Sequence, residues 1–169
     1  IGDVYFKGVK KRVESRDWSK DDIDKIVAEL KNERSSGNRI LLCGVFGARL
    51  SEGIDYNDGI LSSVVCIGIP NPPPSVLSNS LKEYVGEKFG KENAWRYTVT
   101  QPAINSILQA MGRPIRSVED RALILLLDKR NGDRTYTNCY PKSMKMNATN
   151  DPQTTKGFAK RFFKRVKRN

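Results

Sequence analysis

The chain has 169 residues, 38% of them hydrophobic and 29% charged, so it is long enough for one globular domain and too apolar to be wholly disordered. Its 30 Lys or Arg exceed its 19 Asp or Glu, and the formal net charge of +11 favours a polyanionic partner: nucleic acid, a nucleotide phosphate or anionic lipid. The chain contains no His, which excludes His-based catalytic triads and every zinc site that needs a His ligand.

The three cysteines, Cys43, Cys66 and Cys139, are widely spaced and odd in number. This pattern offers neither a Cys-x-x-Cys metal site nor a disulfide framework, so we predict no bound metal and a reducing, intracellular location, cytoplasmic in a prokaryote and nuclear only in a eukaryote. No apolar run approaches the roughly 20 residues of a membrane span, and we expect no membrane partner. Because the first residue is Ile1 rather than Met, we expect a fragment of a longer protein.

The first part of the chain predicts two strands around a helix. Residues 2–6 have the pattern of a short strand, and a basic stretch at residues 7–12 follows. Ser19, with Asp22 three positions later, predicts the N-terminal cap of a helix whose apolar residues recur at helical spacing until Gly37. Residues 39–46 are almost continuously apolar, which predicts a strand buried on both faces.

The later part continues the alternation of strands and helices. Residues 60–69 predict a second buried strand, residues 76–89 a helix with an apolar stripe, and residues 100–111 a helix capped by Thr100. Residues 121–127 predict a third buried strand. Parallel crossovers place helices on both faces of a sheet, so the predicted fold class is α/β, with a mostly parallel sheet flanked by helices on both faces.

Residues 156–169 predict a C-terminal helix with an aromatic face and seven Lys or Arg around it. One interpretation is a surface helix that packs its aromatic side on the sheet, and the alternatives are a nucleic-acid or membrane-surface role. We therefore divide the chain into a domain of residues 1–150 and a basic amphipathic helix of residues 151–169.

The loop after the strand at residues 39–46 is the first candidate for a site, because ligands of open α/β sheets bind outside the carboxyl ends of the strands. Residues 47–55 read GARLSEGID and combine small residues, a hydroxyl and two carboxylates. Such a loop lets backbone N–H groups approach a phosphate chain, while a carboxylate can accept a hydrogen bond from a ribose hydroxyl or orient a cation. The structural alternative is a glycine-containing turn with an Asp cap.

The second candidate is the segment at residues 109–116, which reads QAMGRPIR at the end of a predicted helix. Arg113 and Arg116 lie three positions apart, and such a pair of guanidinium groups suits the charge that spreads over a γ-phosphate during its transfer. The structural alternative is a pair of surface charges that contact Glu119 and Asp120 and contribute little to stability.

Together these two segments are more specific than either alone. Residues 51–55 resemble motif V, and residues 109–116 resemble motif VI, of the XPD/DinG-type superfamily 2 helicases, most closely the archaeal XPD DNA repair helicases. GIP at residues 68–70 and DKR at residues 128–130 also look like that family. The resemblance covers about residues 39–130 and departs from the family at Ala48, where Gly is frequent, and at Pro114, where a small residue is frequent.

The resemblance implies a RecA-like second motor domain of an ATP-dependent DNA helicase that moves 5′ to 3′ and acts in nucleotide excision repair. ATP and Mg²⁺ would lie between this domain and a first motor domain that supplies the P-loop and the DEAH-type carboxylates. The 169 residues contain neither motif, so the isolated domain is predicted to be inactive. The [4Fe–4S] cluster of the family is expected only in the missing part of the parent protein.

The resemblance also assigns roles to single residues. Arg113 and Arg116 match the arginine-finger positions. The expected nucleotide-binding residues are Gln109, Gly53, Asp55 and Gly112. The expected DNA-binding or coupling residues are Arg49, Ser51, Glu52, Lys7, Lys10 and Lys11.

The expected partners are single-stranded DNA, the first motor domain and proteins of a repair complex. The alternative function, from a different class, is a non-catalytic nucleic-acid-binding module that retains the RecA-like fold.

Overall fold

The computed structural model describes residues 6–54, 56 and 59–166, which form two compact units. The first unit contains the described residues up to Ser62 together with Gly112–Ala122, and the second contains Ser63–Met111 and the described residues from Leu123 onward. In each unit two strands pair in parallel, as the sequence predicted for most of the sheet.

The first unit is built from strand β1 (Lys10–Val13), helix α1 (Lys20–Ser35) and strand β2 (Ile40–Cys43). β1 and β2 pair in parallel with Lys10 opposite Ile40, and α1 forms the crossover between them. The predicted cap of α1 is confirmed: Ser19 Oγ accepts a hydrogen bond from the N–H of Asp22, and the Asp22 carboxylate accepts one from the N–H of Ser19. The apolar face of α1 packs into a core of Ile23, Ile26, Leu30, Leu50, Ile54, Tyr56 and Ile60.

The second unit contains strands β3 (Ser63–Ile67) and β4 (Leu123–Leu127), paired in parallel. Its helices are α2 (Val76–Phe89), α3 (Lys91–Trp95), α4 (Gln101–Met111), α5 (Arg134–Thr137) and α6 (Pro152–Val166). A five-residue π-helix, Arg96–Thr100, joins α3 to α4, and a 3₁₀ turn, Lys129–Gly132, follows β4. Ile104 and Ile107 of α4 are completely buried and form the centre of this unit's core. None of the helices in the described residues is long and apolar enough to span a membrane.

The first strand differs from the prediction. Residues 2–5 lie outside the described residues, Phe6 is not in a strand, and β1 begins four positions later, inside the predicted basic stretch. The apolar periodicity missed β1 because three of its four residues are Lys or Arg. Arg12 places its guanidinium on the Glu29 carboxylate of α1, with Nε 2.9 Å from Oε2 and Nη2 2.7 Å from Oε1. A partly exposed strand can contain Lys and Arg because their aliphatic stems cover apolar surface while their charged ends stay ion-paired or solvated.

The predicted burial of the strands on both faces is also wrong. Every residue of β2 is half-buried, and Cys66 is the only fully buried residue of β3. β4 has four half-buried residues and an exposed Leu127. Each strand has one hydrogen-bonded neighbour in its two-stranded sheet. Fewer strand residues are therefore buried than the apolar runs of the sequence predicted.

The helices of the second unit begin and end close to the predicted residues, but their apolar faces are less buried than predicted. α2 spans residues 76–89 as predicted, yet Val85 is its only buried residue. Thr100 does not cap α4, because it continues the π-helix and its Oγ1 donates to the carbonyl oxygen of Arg96 four positions earlier. α6 begins four positions before the predicted start, and no described residue of α6 is fully buried, so its aromatic side is not packed into a core.

Candidate functional site

The segment that carries the resemblance to motif V lies in a compact loop, residues 44–54, directly after β2. Gly47 and Gly53 have φ angles of 75° and 78°, a left-handed backbone that favours glycine. The carbonyl oxygen of Ala48 accepts hydrogen bonds from the N–H groups of Ser51 and Glu52, both at 3.0 Å, and from the hydroxyl of Ser51 at 2.9 Å. The loop is therefore a turn held by its own backbone before any other segment contacts it.

Glu14, the residue after β1, holds the first half of the 44–54 loop. Its carboxylate accepts hydrogen bonds from two backbone N–H groups, Val45 N at 3.1 Å from Oε2 and Leu50 N at 3.0 Å from Oε1. Glu14 was not among the site residues predicted from the sequence. The strand that it follows, β1, was not predicted either, so no sequence pattern singled it out.

Arg113 holds the second half of the 44–54 loop. Its Nε donates to the carbonyl oxygen of Ser51 at 2.9 Å, and its Nη1 donates to the carbonyl oxygen of Ile54 at 3.1 Å. The structure thus brings together the residues that resemble motif V and the first arginine that resembles motif VI. The guanidinium plane is fixed by two acceptors, which is the kind of geometry that a lysine ammonium cannot reproduce.

Tyr56 is hydrogen-bonded to the backbone of the 44–54 loop. Its side chain is 2% exposed, and its hydroxyl donates to the carbonyl oxygen of Leu50 at 3.1 Å. Burial raises the pKa of Tyr56 to about 12, with the charge of Glu14 acting in the same direction and that of Arg113 opposing it. The phenol therefore stays protonated and remains a hydrogen-bond donor throughout the neutral range.

Arg116 lies in a turn that Asp120 organises. The Asp120 Oδ2 accepts hydrogen bonds from the backbone N–H groups of Arg116 at 2.7 Å and of Ser117 at 2.8 Å. These two bonds hold the pKa of the Asp120 carboxyl below its ordinary value. Pro114, between the two arginines, is almost completely buried, so the turn after α4 is fixed at both ends.

The other predicted nucleotide-binding residues are placed as follows. Gln109 is exposed on α4 in the second unit, and Gly112 begins the turn in which its carbonyl oxygen accepts from the N–H of Ile115. Gly53 stands at the positive φ noted above, with no atom within 4 Å of the position that a Cβ would take. Asp55 lies outside the described residues.

The residues predicted to bind DNA or to couple the motifs are divided between the loop and β1. Arg49 donates from Nη1 to the carbonyl oxygen of Trp18, while Glu52 is exposed on the loop. Lys7 is exposed in the turn before β1, and Lys11 is half-buried within β1.

Lys10 on β1 is engaged with α1. Its ammonium pairs with the Glu29 and Glu33 carboxylates, and these contacts raise the pKa of Lys10 above its ordinary value. A DNA phosphate would therefore have to compete with two carboxylates for Lys10.

No group of three or more Cys, Asp or Glu side chains in the described residues is arranged to hold a metal ion. Cys43 is half-buried in β2, and Cys66 and Cys139 are buried as free thiols in the second unit. Burial raises the pKa of the Cys66 thiol to about 11. Three thiols cannot supply the four cysteine ligands of a [4Fe–4S] cluster.

A second polar cluster lies in the second unit, at the carboxyl ends of β3 and β4. Asp128 Oδ2 accepts from Arg130 Nη2 at 2.7 Å, and the Arg130 guanidinium lowers the pKa of the Asp128 carboxyl. The Tyr136 hydroxyl accepts from Asn71 Nδ2 at 2.9 Å. The Asp128–Arg130 contact lies within the DKR segment, and the Asn71–Tyr136 bond anchors the residue that follows the GIP segment.

Comparison with known proteins matches residues 5–147 to the helicase C-terminal domain family. The chain is 37% identical over 123 residues to the ATP-dependent DNA helicase XPD of Sulfolobus acidocaldarius, covering 71% of this chain and 21% of that protein. It is 28% identical over 146 residues to the ATP-dependent DNA helicase chl1 of Schizosaccharomyces pombe, covering 83% of this chain and 17% of that protein. The chain thus spans about a fifth of the length of these relatives.

A solved apo structure of XPD resembles this structure with a TM-score of 0.58 and 34% sequence identity, over 76% of this chain and 26% of that one. The likeness confirms the predicted RecA-like α/β fold with parallel strands and flanking helices. The family match covers both the 44–54 loop and the Arg113 turn that contacts it. The chain therefore belongs to the helicase C-terminal domain family of the XPD-like superfamily 2 helicases.

Proposed function

We propose that this chain is the second motor domain of an ATP-dependent DNA helicase, with Arg113 and Arg116 acting as arginine fingers on ATP bound by a first motor domain. Family membership supports the proposal, since the matched relatives are named ATP-dependent DNA helicases. The observation that carries it is the pair of hydrogen bonds from Arg113 to the 44–54 loop. They fix a guanidinium beside the segment that resembles motif V.

The chemistry follows from the position of positive charge. A transferring γ-phosphoryl group spreads negative charge over its equatorial oxygens, and a pre-oriented guanidinium stabilises that charge without reorganising during the reaction. Mg²⁺ and the P-loop contacts would come from the first motor domain, because the sequence of this chain contains neither a P-loop nor a DEAH motif. Gln109, Gly53, Asp55 and Gly112 are proposed to contact the nucleotide from this side.

The same family likeness supports a finer proposal for the nucleic acid. We propose 5′ to 3′ movement on single-stranded DNA in nucleotide excision repair, with repair-complex proteins as further partners. Arg49, Ser51, Glu52, Lys7, Lys10 and Lys11 are the proposed DNA-binding or coupling residues. The net charge of +11 suits a partner that is gripped through its phosphates rather than read through its bases.

The proposed organisation has residues 1–150 as the motor domain and residues 151–169 as an appended basic helix. On this proposal the chain alone does not hydrolyse ATP, because its sequence contains no P-loop and no DEAH motif. An iron–sulfur cluster would belong to another part of the parent protein.

The test is DNA-stimulated ATP hydrolysis by the full-length protein that carries this domain. Arg113→Ala and Arg116→Ala should each lower the rate by about 10³- to 10⁵-fold, which is the contribution of an arginine finger. Arg134→Ala, which removes an exposed arginine at the start of α5, serves as the matched control and should leave the rate unchanged. If both finger variants hydrolyse ATP normally and only DNA binding changes, the domain is a non-catalytic nucleic-acid-binding module instead.

A further inference from the structure

We propose that Glu14 is a positioning residue for Arg113 and acts on it through the 44–54 loop. The inference rests on the proposed function of Arg113 and adds a residue outside the two segments that resemble helicase motifs. The side-chain hydrogen bonds of Glu14 go to the backbone of Val45 and Leu50 and not to Arg113. Its effect would pass through the backbone of residues 45–51.

The backbone of Glu14 is itself fixed by the sheet. Its N–H donates to the carbonyl oxygen of Cys43 at 2.8 Å, which extends the pairing of β1 with β2 by one residue. The half-buried side chain then reaches across the start of the loop to Val45 and Leu50, five positions apart. One carboxylate therefore ties both ends of the first loop turn to the sheet.

Gly44 gives an independent sign that this placement is built into the fold. A Cβ at position 44 would lie 2.8 Å from Glu14 Oε2 and 3.1 Å from the Leu50 Cβ. Position 44 has no positive φ, so a side chain there would be limited by the space that the carboxylate and Leu50 occupy and not by the backbone conformation.

Leu50 and Ser51 form the connection to Arg113. The N–H of Leu50 donates to Glu14, the carbonyl oxygen of Leu50 accepts from Tyr56, and the next carbonyl oxygen, that of Ser51, accepts from Arg113 Nε. Because consecutive peptide units are planar and covalently joined, releasing Leu50 from Glu14 would move the Ser51 carbonyl that orients Arg113.

The chemistry of the side chain explains why a carboxylate is needed. Ionised Glu offers two acceptor oxygens and no donor, which matches two N–H groups. Gln has nearly the same shape but offers one acceptor, and its NH₂ group would face one of the two N–H donors. Glu14→Gln should therefore release part of the loop with little change in side-chain volume.

The first measurement is solvent exchange of the Arg113 Nε–H and the Leu50 amide, observed by NMR on this chain. Glu14→Gln should accelerate both about tenfold or more, since a lost hydrogen bond of about 1.4 kcal/mol corresponds to that factor. Glu29→Gln is the matched control: it removes a carboxylate that pairs with β1 but does not touch the loop, and both rates should be unchanged.

The second measurement is steady-state ATP hydrolysis by the full-length protein. Glu14→Gln should lower kcat by about 10- to 100-fold with little change in KM for ATP, which is the effect of misplacing a catalytic group by around 1 Å. If Glu14→Gln does not fold, Gly44→Ala displaces the carboxylate without removing it and should give the same result. Gly132→Ala, where no atom lies within 4 Å of the added Cβ, is its control.

The outcomes separate this inference from the proposed function. Unchanged exchange at Arg113 Nε–H in a folded Glu14→Gln protein would overturn the positioning role, and so would accelerated exchange with an unchanged kcat. If the exchange rates change as expected while Arg113→Ala leaves ATP hydrolysis intact, the finger assignment is wrong and Glu14 orders the loop for no catalytic purpose.

Discussion

Arg113 donates a hydrogen bond from Nε to the carbonyl oxygen of Ser51 at 2.9 Å, across 62 positions of the chain. The bond joins the segment that resembles motif VI to the segment that resembles motif V through backbone acceptors, so it does not depend on which side chains the loop carries. Any phosphate that attracts this guanidinium acts on a group already tied to the 44–54 loop. The two segments are therefore joined by hydrogen bonds from one guanidinium to the Ser51 and Ile54 carbonyl oxygens.

Arg113→Lys should destabilise the protein although it keeps the charge. An ammonium cannot donate to the Ser51 and Ile54 carbonyls in the fixed fork of a guanidinium, and hydrogen bonds to charged groups contribute about 1.5 to 3 kcal/mol. We expect the free energy of unfolding to fall by about 1 to 3 kcal/mol in urea denaturation. Arg121→Lys, at an exposed arginine, is the control. Equal stability of Arg113→Lys and the unsubstituted chain would show that the two hydrogen bonds add nothing to stability.

Tyr56→Phe should lower the free energy of unfolding by about 1 to 2 kcal/mol, because it leaves the carbonyl oxygen of Leu50 without its donor. The pKa of Tyr56, about 12 in the folded chain, exceeds the ordinary 10.0. A raised folded pKa means that the stabilisation is complete below pH 10 and is lost as the pH rises towards 12. The Tyr56→Phe variant should show a smaller loss of stability over that range, which denaturation curves between pH 9 and 12 would reveal. Tyr97→Phe, at a half-exposed ring, should not change the alkaline limb.

Asp120→Asn should weaken the turn that holds Arg116. The backbone N–H groups of Arg116 and Ser117 hold the pKa of Asp120 below its ordinary 3.8. A lowered folded pKa contributes stability that is present above the unfolded value and is lost as the pH falls through the folded value. The unsubstituted chain should therefore lose stability below about pH 4. Asp120→Asn should be less stable at pH 7, and its stability should fall less steeply as the pH is lowered. Thermal unfolding from pH 7 to pH 2.5 measures both, and Asp24→Asn on α1 is the control.

Single-stranded DNA should bind the chain without helix α6. We expect fluorescence anisotropy to show an affinity that falls steeply between about 50 and 200 mM salt, as for any site that grips phosphates. A chain ending at Asn150 should retain that behaviour if the DNA track lies in the proposed motor domain. Loss of binding with the tail would instead assign DNA binding to the basic residues of α6 and leave the rest of the chain to complete an ATP site.

Local signals predicted the parts of the fold that depend on neighbours in sequence. The cap of α1 at Ser19 and Asp22 was predictable because both partners lie within one helical turn. The bounds of α2 followed from its periodicity. The burial of the α2 stripe did not follow, because periodicity places residues on one face without saying what covers that face.

Some parts of the candidate site were also predictable from the sequence and others were not. The resemblance of residues 51–55 and 109–116 to helicase motifs V and VI pointed to the XPD-like helicases, and the match to the helicase C-terminal domain family confirms that membership. The sequence did not predict β1, because three of its four residues are Lys or Arg and its stability comes from pairing with β2 and from Glu29 on α1. Glu14 was not predicted either, because a single carboxylate has no characteristic spacing.

The sequence by itself determined the family, through the resemblance of residues 51–55 and 109–116 to helicase motifs, and the parallel α/β fold class, because both follow from residue identity and short-range patterns. The tertiary structure decided that Arg113 is bound to the backbone of the 44–54 loop, that Glu14 holds the same loop from the opposite end, and that Lys10 is paired with α1. These contacts join residues that lie far apart in the chain, by as many as 62 positions for Arg113 and Ser51. Hydrogen bonds over such separations form only after strands and helices have packed, so no local pattern in the chain encodes them.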